Sequence, residues 1–301
     1  MNKPLLTICC ISYNHLNFIE DALKGFLSQK TNFEYDIIIN DDASNDGTTE
    51  ILKKYKNLYA DKIKLIIQDK NQYSQGVRGI AAKFTFPHAR GKYIAICEGD
   101  DYWTDPLKLQ KQVDFLEANP DYGICFHNVA QLNMFSSEKD SIIPDVKENT
   151  VYTLEDYILS NRTATCSLVF KRELLGEIPS WFYKVPFGDL ALILLVMYNS
   201  NKKGMVLRDT MGVYRIHENG IHGSFHKNNK SLIKAYKQHL QFNKIIASQF
   251  LKEQEFKKVL FRKMKNTHKI LANLYATQND KIGWFKSSLA IKYYGLLMKL
   301  N

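Results

Sequence analysis

Cys97-Glu98-Gly99-Asp100-Asp101-Tyr102-Trp103-Thr104-Asp105-Pro106 decides how this 301-residue chain is read. In front of it, Tyr93 to Cys97 is a continuous apolar run of strand length, the pattern of a strand buried on both faces of a sheet. Glu98-Gly99-Asp100-Asp101 ends that strand. Asp105 followed by Pro106 predicts an N-cap and first helical residue, and Leu109, Val113 and Leu116 recur at helical spacing until Pro120. The acidic pair therefore sits at the carboxyl end of a strand, the edge at which open α/β sheets bind ligands. Two hard carboxylates on a short loop suit Mg²⁺ or Mn²⁺ carrying phosphate oxygens. Asp and Gly also build plain turns, so these residues by themselves leave both a solvated turn and a metal site open.

Upstream, the same strand-to-helix unit recurs. Leu5 to Ser12 is an apolar, β-branched strand, followed by Tyr13-Asn14-His15 and a helical pattern at Ile19, Ala22, Leu23, Phe26 and Leu27. Tyr35 to Asn40 is a second strand. It ends in Asp41-Asp42-Ala43-Ser44-Asn45-Asp46-Gly47, after which Ile51, Leu52 and Tyr55 mark a helix. Lys64 to Gln68 gives a third strand, Asn71 to Gly79 a polar loop and Ile80 to Phe86 a short helix. Such alternation predicts an α/β fold with a mostly parallel sheet and right-handed crossovers.

Downstream the pattern is mixed. Strands are expected at Tyr122 to His127, Thr165 to Phe170, Met205 to Leu207 and Gly212 to Ile216, with a polar excursion over Gln131 to Thr150. Helices are expected at Leu154 to Leu159 and Leu190 to Tyr198. From about Lys230 the chain reads as helix almost throughout, with Leu232, Tyr236 and Leu240 on one stripe.

The composition, 45% hydrophobic and 24% charged, is ordinarily globular. Five cysteines lie mostly in apolar runs without C-x-x-C pairing, which predicts reduced core residues of a cytosolic protein and argues against zinc. The amino terminus lacks a signal-like segment, and no apolar run reaches the roughly 18 residues needed to span a bilayer, so a soluble protein is expected. Charge is unevenly placed. His226 to Asn301 hold 16 Lys and Arg against 3 Asp and Glu, a charge of +13, which leaves residues 1 to 225 at −3 within the whole-chain +10.

Asp42-x-Ser44-x-Asp46-Gly47 imitates the start of an EF-hand loop. The twelfth position is Lys53 where a bidentate Glu is required, so calcium binding is not expected. Ser44, Asn45 or Asp46 can cap the following helix, which leaves Asp41 and Asp42 to accept hydrogen bonds from a base or ribose. Neither a dinucleotide fingerprint nor a P-loop is present.

Taken together, Ser12-Tyr13-Asn14, Asn40-Asp41-Asp42 with Ser44 and Asp46-Gly47-Thr48, Gly91-Lys92-Tyr93 and Glu98-Gly99-Asp100-Asp101-Tyr102-Trp103 resemble family 2 of the inverting glycosyltransferases, over roughly residues 5 to 220. The resemblance implies the GT-A fold, a Rossmann-like mixed sheet flanked by helices. It divides the chain into a transferase domain over 1–225, with a nucleotide-binding half at about 1–120 and an acceptor half at about 121–225, and a basic helical extension over 226–301. It implies a nucleotide-diphosphosugar donor, with a UDP-sugar first, and a hydroxyl of a growing glycan or lipid-linked glycan as acceptor, in a bacterial setting. Ser12 and Tyr13 would lie along the nucleotide, with Asp41 and Asp42 accepting from it. Asp100 would lie near ribose or sugar, and Arg215 near phosphate. Asp101 would be the main contact to Mn²⁺ or Mg²⁺, with His217 close to the metal or diphosphate and His222 a weaker second candidate. Asp189, at the start of its helix, would be the catalytic base. The loop at Asn71 to Lys83 departs from the family pattern in lacking a Gly- and Asn-rich stretch.

Two rivals remain beside this reading. A sugar-nucleotide nucleotidyltransferase should show a Gly-rich, Lys- or Arg-bearing phosphate loop, which residues 5 to 20 lack. A non-catalytic sugar- or lipid-binding module is opposed by the intact Asp42, Asp101 and Asp189. The basic extension is a helical cap with a solvated face, a contact to a partner, or a peripheral contact to the inner face of the membrane, the last requiring segregated apolar and basic faces. No nucleic-acid-binding module is recognised, and the oligomeric state is not legible.

Overall fold

A computed structural model describes residues 3–135, 141–217, 220 and 228–300. Its centre is a mixed sheet. The strands are β1 (Leu6–Ser12), β2 (Tyr35–Asp41), β3 (Ile63–Ile67), β4 (Tyr93–Ile96), β5 (Tyr102–Trp103), β6 (Ile124–Asn133), β7 (Ser141–Ile143), β8 (Thr150–Thr153), β9 (Val169–Lys171) and β10 (Lys203–Ile216). The helices are α1 (Ile19–Leu27), α2 (Thr48–Leu58), α3 (Ile80–Phe84), α4 (Lys108–Ala118), α5 (Leu154–Leu159), α6 (Gly188–Tyr198), α7 (Asn229–Phe250), α8 (Gln254–Thr277) and α9 (Lys281–Leu300).

The main path of the sheet runs β3-β2-β1-β4-β9-β6-β10-β5. From β3 to β4 all pairings are parallel. The antiparallel β9 then joins β4 to β6, and β6 pairs in parallel with β10 in the longest ladder. This is the expected α/β architecture, parallel in its main ladders. Alternating strand residues feed two cores. Leu6, Ile8, Cys10, Ile37 and Ile39 pack with α1, α2 and α4 on one face, whereas Cys9, Ile38, Ile94 and Phe126 pack with α5 and α6 on the other.

Four local expectations change. Strand pattern at Thr165 to Ser167 gives a 3-10 turn, with β9 starting only at Val169. The two short strands around 205–216 are one strand, β10, whose register shifts between Leu207 and Gly212 accommodate residues that sequence reads as a turn. Part of the polar excursion, β7, pairs with β6. Asp105 accepts from the Leu107 amide at 2.8 Å and so caps the turn before α4, which begins at Lys108.

The carboxyl-terminal extension is three helices. The face that α7 buries carries Ala235, Phe242, Ile246, Ala247 and Phe250, shifted from the stripe expected at Leu232, Tyr236 and Leu240. Phe242, Ile246 and Phe250, with Phe256, Val259 and Leu260 of α8, belong to the same core as α6. No helix among the described residues is long and apolar enough to cross a membrane. All five cysteines are buried and unpaired.

Candidate active site

Three strand ends converge on one edge of the sheet. β1 leads into Tyr13-Asn14-His15, β2 into Asp41 to Gly47, and β4 into Glu98 to Asp101. The first two loops are stitched together. The Asn14 amide donates to Ser44 Oγ at 2.9 Å, the His15 amide to Thr48 Oγ1 at 2.9 Å, and the Leu16 amide to Asp46 Oδ2 at 3.0 Å. Asp41 is fully buried and accepts from the hydroxyls of Ser44 and Thr49. Asp42 accepts from the amides of Gln72 at 2.7 Å and Tyr73 at 3.1 Å, and so holds the Asn71 to Gly79 loop against the strand end. Tyr13 is exposed at the mouth of this cradle. Ser12 is buried, with Oγ lacking a hydrogen-bond partner among the described residues.

The third loop lies across the first because Gly99 has no side chain. A Cβ there would stand 2.8 Å from Ile19 Cδ1 and 2.9 Å from His15 Nδ1. The loop then feeds β5, which pairs antiparallel with β10 at Gly212 and Val213. That pairing delivers Arg215 and His217 from 114 and 117 positions downstream of their partners Asp101 and Asp100. The Arg215 amide donates to Asp101 Oδ1 at 2.9 Å. Its guanidinium donates to the Asp100 carbonyl at 2.9 Å, pairs with Asp21 of α1 and lies over the Tyr102 ring. His217 Nε2 lies 3.0 Å from Asp100 Oδ2, and His15 Nε2 lies 3.6 Å from the same oxygen. His222 falls outside the described residues.

Glu98, Asp100 and Asp101 each bring an oxygen within 4.8 Å of the others, the only such His, Cys, Asp or Glu group among the described residues. His217 is not in it; it reaches Asp100 instead. Asp100 Oδ1 and Asp101 Oδ2 are buried without a hydrogen-bond partner among the described residues. Crowding of like charge away from water has its consequence in acidity. Burial, then the charges of Asp100 and Asp189, pushes the Glu98 carboxyl up to about 8. Burial also pushes Asp101 well above the carboxylate range, with Cys166, Asp100 and Glu98 adding to it. Asp100 is the exception: burial works against its charge, but the His217 hydrogen bond and the nearby His15 hold it below its ordinary value. Hard oxygen donors with unused lone pairs fit a Mg²⁺- or Mn²⁺-type ion.

Asp189 opens α6, and its Oδ2 accepts from Asn161 Nδ2 at 3.2 Å. Burial pushes the Asp189 carboxyl above its ordinary pKa, against the opposing backbone hydrogen bonds of the helix start. Its charge adds to the proton affinity of Glu98 and of Tyr214.

A family model for glycosyl transferase family 2 matches residues 7–178, which contain the cradle and the acidic loop. The chain belongs to glycosyl transferase family 2. Its relatives include an uncharacterized Mycobacterium tuberculosis protein, 36% identical over 219 residues. That match takes in 72% of this chain and 60% of the relative, so the chain spans well under two thirds of that protein's length. The Escherichia coli UDP-Glc:alpha-D-GlcNAc-diphosphoundecaprenol beta-1,3-glucosyltransferase WfaP is 30% identical over 220 residues, 72% of this chain and 79% of its own. Among solved structures, S. aureus TarS 1-349 in complex with UDP-GlcNAc superposes with a TM-score of 0.67 at 18% identity, covering 94% of this chain and 79% of that one. This likeness establishes the GT-A fold.

At this edge of the sheet stand three further residues to which sequence alone gives no role. Glu98 is one residue of its own acidic motif, and its two-residue spacing from Asp100 was the available signal. Asp21, the partner of Arg215, sits in an ordinary first helical turn and carried none. His15 followed Tyr13-Asn14 without any sign that Asp100 would approach it.

Proposed function

We propose that this family 2 glycosyltransferase moves a sugar from a nucleotide-diphosphosugar, a UDP-sugar in the first instance, onto a hydroxyl of a glycan or lipid-linked glycan, with inversion at the anomeric carbon. The observation that carries the reading is the pair of buried oxygens on Asp100 and Asp101, unpartnered among the described residues, beside Glu98 at the carboxyl end of β4. Asp101, with Asp100 and Glu98, would hold Mn²⁺ or Mg²⁺. Such an ion, when bound, neutralises charge that develops on the departing diphosphate.

The chain's own residues do the rest. Tyr13 stacks on the base and Ser12 Oγ bonds the nucleoside. Asp41 and Asp42 act through the loops they hold. Arg215, locked by Asp21, keeps the acidic loop in register and sets positive charge near phosphate. His217 and His15 orient Asp100. Asp189, its proton affinity raised by burial, accepts the proton of the attacking hydroxyl, and one in-line displacement inverts the sugar. The name of WfaP, a glucosyltransferase to a diphosphoundecaprenol-linked sugar, supports a UDP-sugar and a lipid-linked acceptor. We extend the reading to a cytoplasmic location, with the basic extension against the inner face of the membrane.

The test is turnover of UDP-sugars onto a diphospholipid-linked or soluble glycoside acceptor with Mn²⁺, the product's anomeric configuration being read by proton NMR. Inversion, with turnover lost in Asp189→Asn while UDP binding persists, is the expected result. Retained configuration overturns the displacement. Release of diphosphate from UTP and a sugar 1-phosphate would make the enzyme a nucleotidyltransferase.

A further inference from the structure

The last helix is apolar on two opposite sides, and the fold covers only one. Toward α8, Tyr294 stacks on His268 with ring centroids 6.0 Å apart. Gly283 lies so close that a Cβ there would stand 2.6 Å from the Tyr275 ring. These contacts fix the rotation of α9 about its axis. Away from α8 stand Ile282, Phe285, Leu289, Tyr293, Leu296 and Leu300, all more than half exposed. Their spacing of three, four, four, three and four residues follows the helical repeat, so they form one straight stripe along the whole helix. At 1.5 Å per residue that stripe is roughly 30 Å long. Single exposed apolar residues are ordinary on a surface; an aligned row of six marks a contact.

The charges beside the stripe say what it contacts. On a helical projection Lys281, Lys292 and Lys299 border it on one side and Lys286 on the other, and α9 contains no acidic residue. A second copy docking stripe to stripe would bring two sets of lysines together with no carboxylate on either helix to oppose them. An anionic lipid surface matches both features. The stripe enters the boundary between headgroups and acyl chains, while long lysine stems lie along it and carry their ammonium groups up to the phosphates.

We propose that α9 is an in-plane membrane contact that seats the enzyme on anionic phospholipid. This deepens the placement of the extension given above and rests on that reading for its purpose, though not for its physics.

Flotation of the full chain with vesicles of phosphatidylglycerol and phosphatidylcholine, against phosphatidylcholine alone, tests it. Binding should need the anionic lipid and weaken with salt. Phe285→Ser, Leu289→Ser and Leu296→Ser together should lower the partition coefficient on the order of 100-fold. Each Lys→Glu change at 281, 286, 292 or 299 should lower it by about fivefold or more. Calorimetric UDP binding and helical circular dichroism of the triple variant report whether it is folded. Unchanged partitioning of the folded triple variant overturns the proposal, as does a lipid-free dimer that the same variant dissolves, which would make the stripe an interface between copies. Loss of turnover in a chain that still floats would count against the transferase reading alone.

Discussion

Two acidic loops lie at one edge of the sheet, on either side of the loop after β1, and they are built to opposite ends. In the loop after β2, Asp41 is satisfied by the hydroxyls of Ser44 and Thr49, and Asp42 by the amides of Gln72 and Tyr73. In the loop after β4, Asp100 and Asp101 each keep a buried oxygen without a partner among the described residues. The imbalance extends behind the second loop. Lys108 is fully buried, with its ammonium 3.8 Å above the Trp103 ring and no hydrogen-bond acceptor among the described residues. A satisfied buried carboxylate stabilises the fold, whereas an unsatisfied one costs stability unless something else completes it. The carboxylates of the first loop are completed within the fold, and the second loop is where a ligand is expected.

The sharpest way to break this comparison is Asp101→Asn. Transfer should fall by about 1,000-fold, while the melting temperature stays level or rises because the cost of burying an ionisable carboxyl, which burial drives to its protonated form, has gone. A drop in melting temperature with activity spared would show that Asp101 is structural after all.

Lys108→Met comes next in size. Burial lowers the Lys108 ammonium from 10.5 to about 7, with the Cys97, Cys166 and Cys125 thiols opposing. Between those two values the unfolded chain holds a proton that the folded chain has released, so stability rises with pH across that window. The methionine variant should be more stable near pH 7 by about 3 kcal/mol, and should lose that rise when urea unfolding is followed from pH 7 to 10. An unchanged pH slope would mean that Lys108 finds water or an acceptor.

The smallest effect is expected in the satisfied loop. Asp41→Ala should cost about 2 kcal/mol of stability in urea unfolding, since it removes the acceptor of the buried Thr49 hydroxyl and the half-buried Ser44 hydroxyl, and activity per folded molecule should fall far less than in Asp101→Asn. If both variants lose transfer equally, Asp41 touches the nucleotide and the contrast between the loops fails.

The sequence alone carried the alternation of strands and helices, the acidic residues at the strand ends and the family resemblance. Those features are local, written in periods of two and 3.6 residues and in short motifs. It also carried the basic charge of the extension, because charge is a sum over residues. It missed the continuity of β10, whose register shifts read as a turn, and the start of β9. Tertiary structure alone decided which carboxylates are completed and which are not. Arg215 donates to Asp101 from 114 positions away, and the Gln72 amide to Asp42 from 30. It also decided which side of α9 is bare, since both sides are apolar and only the packing on α8 chooses between them. The physical reason is the same in each case. Residue type and spacing determine what a group can bond or bury, but whether it has done so depends on neighbours that only the folded chain brings within 3 Å.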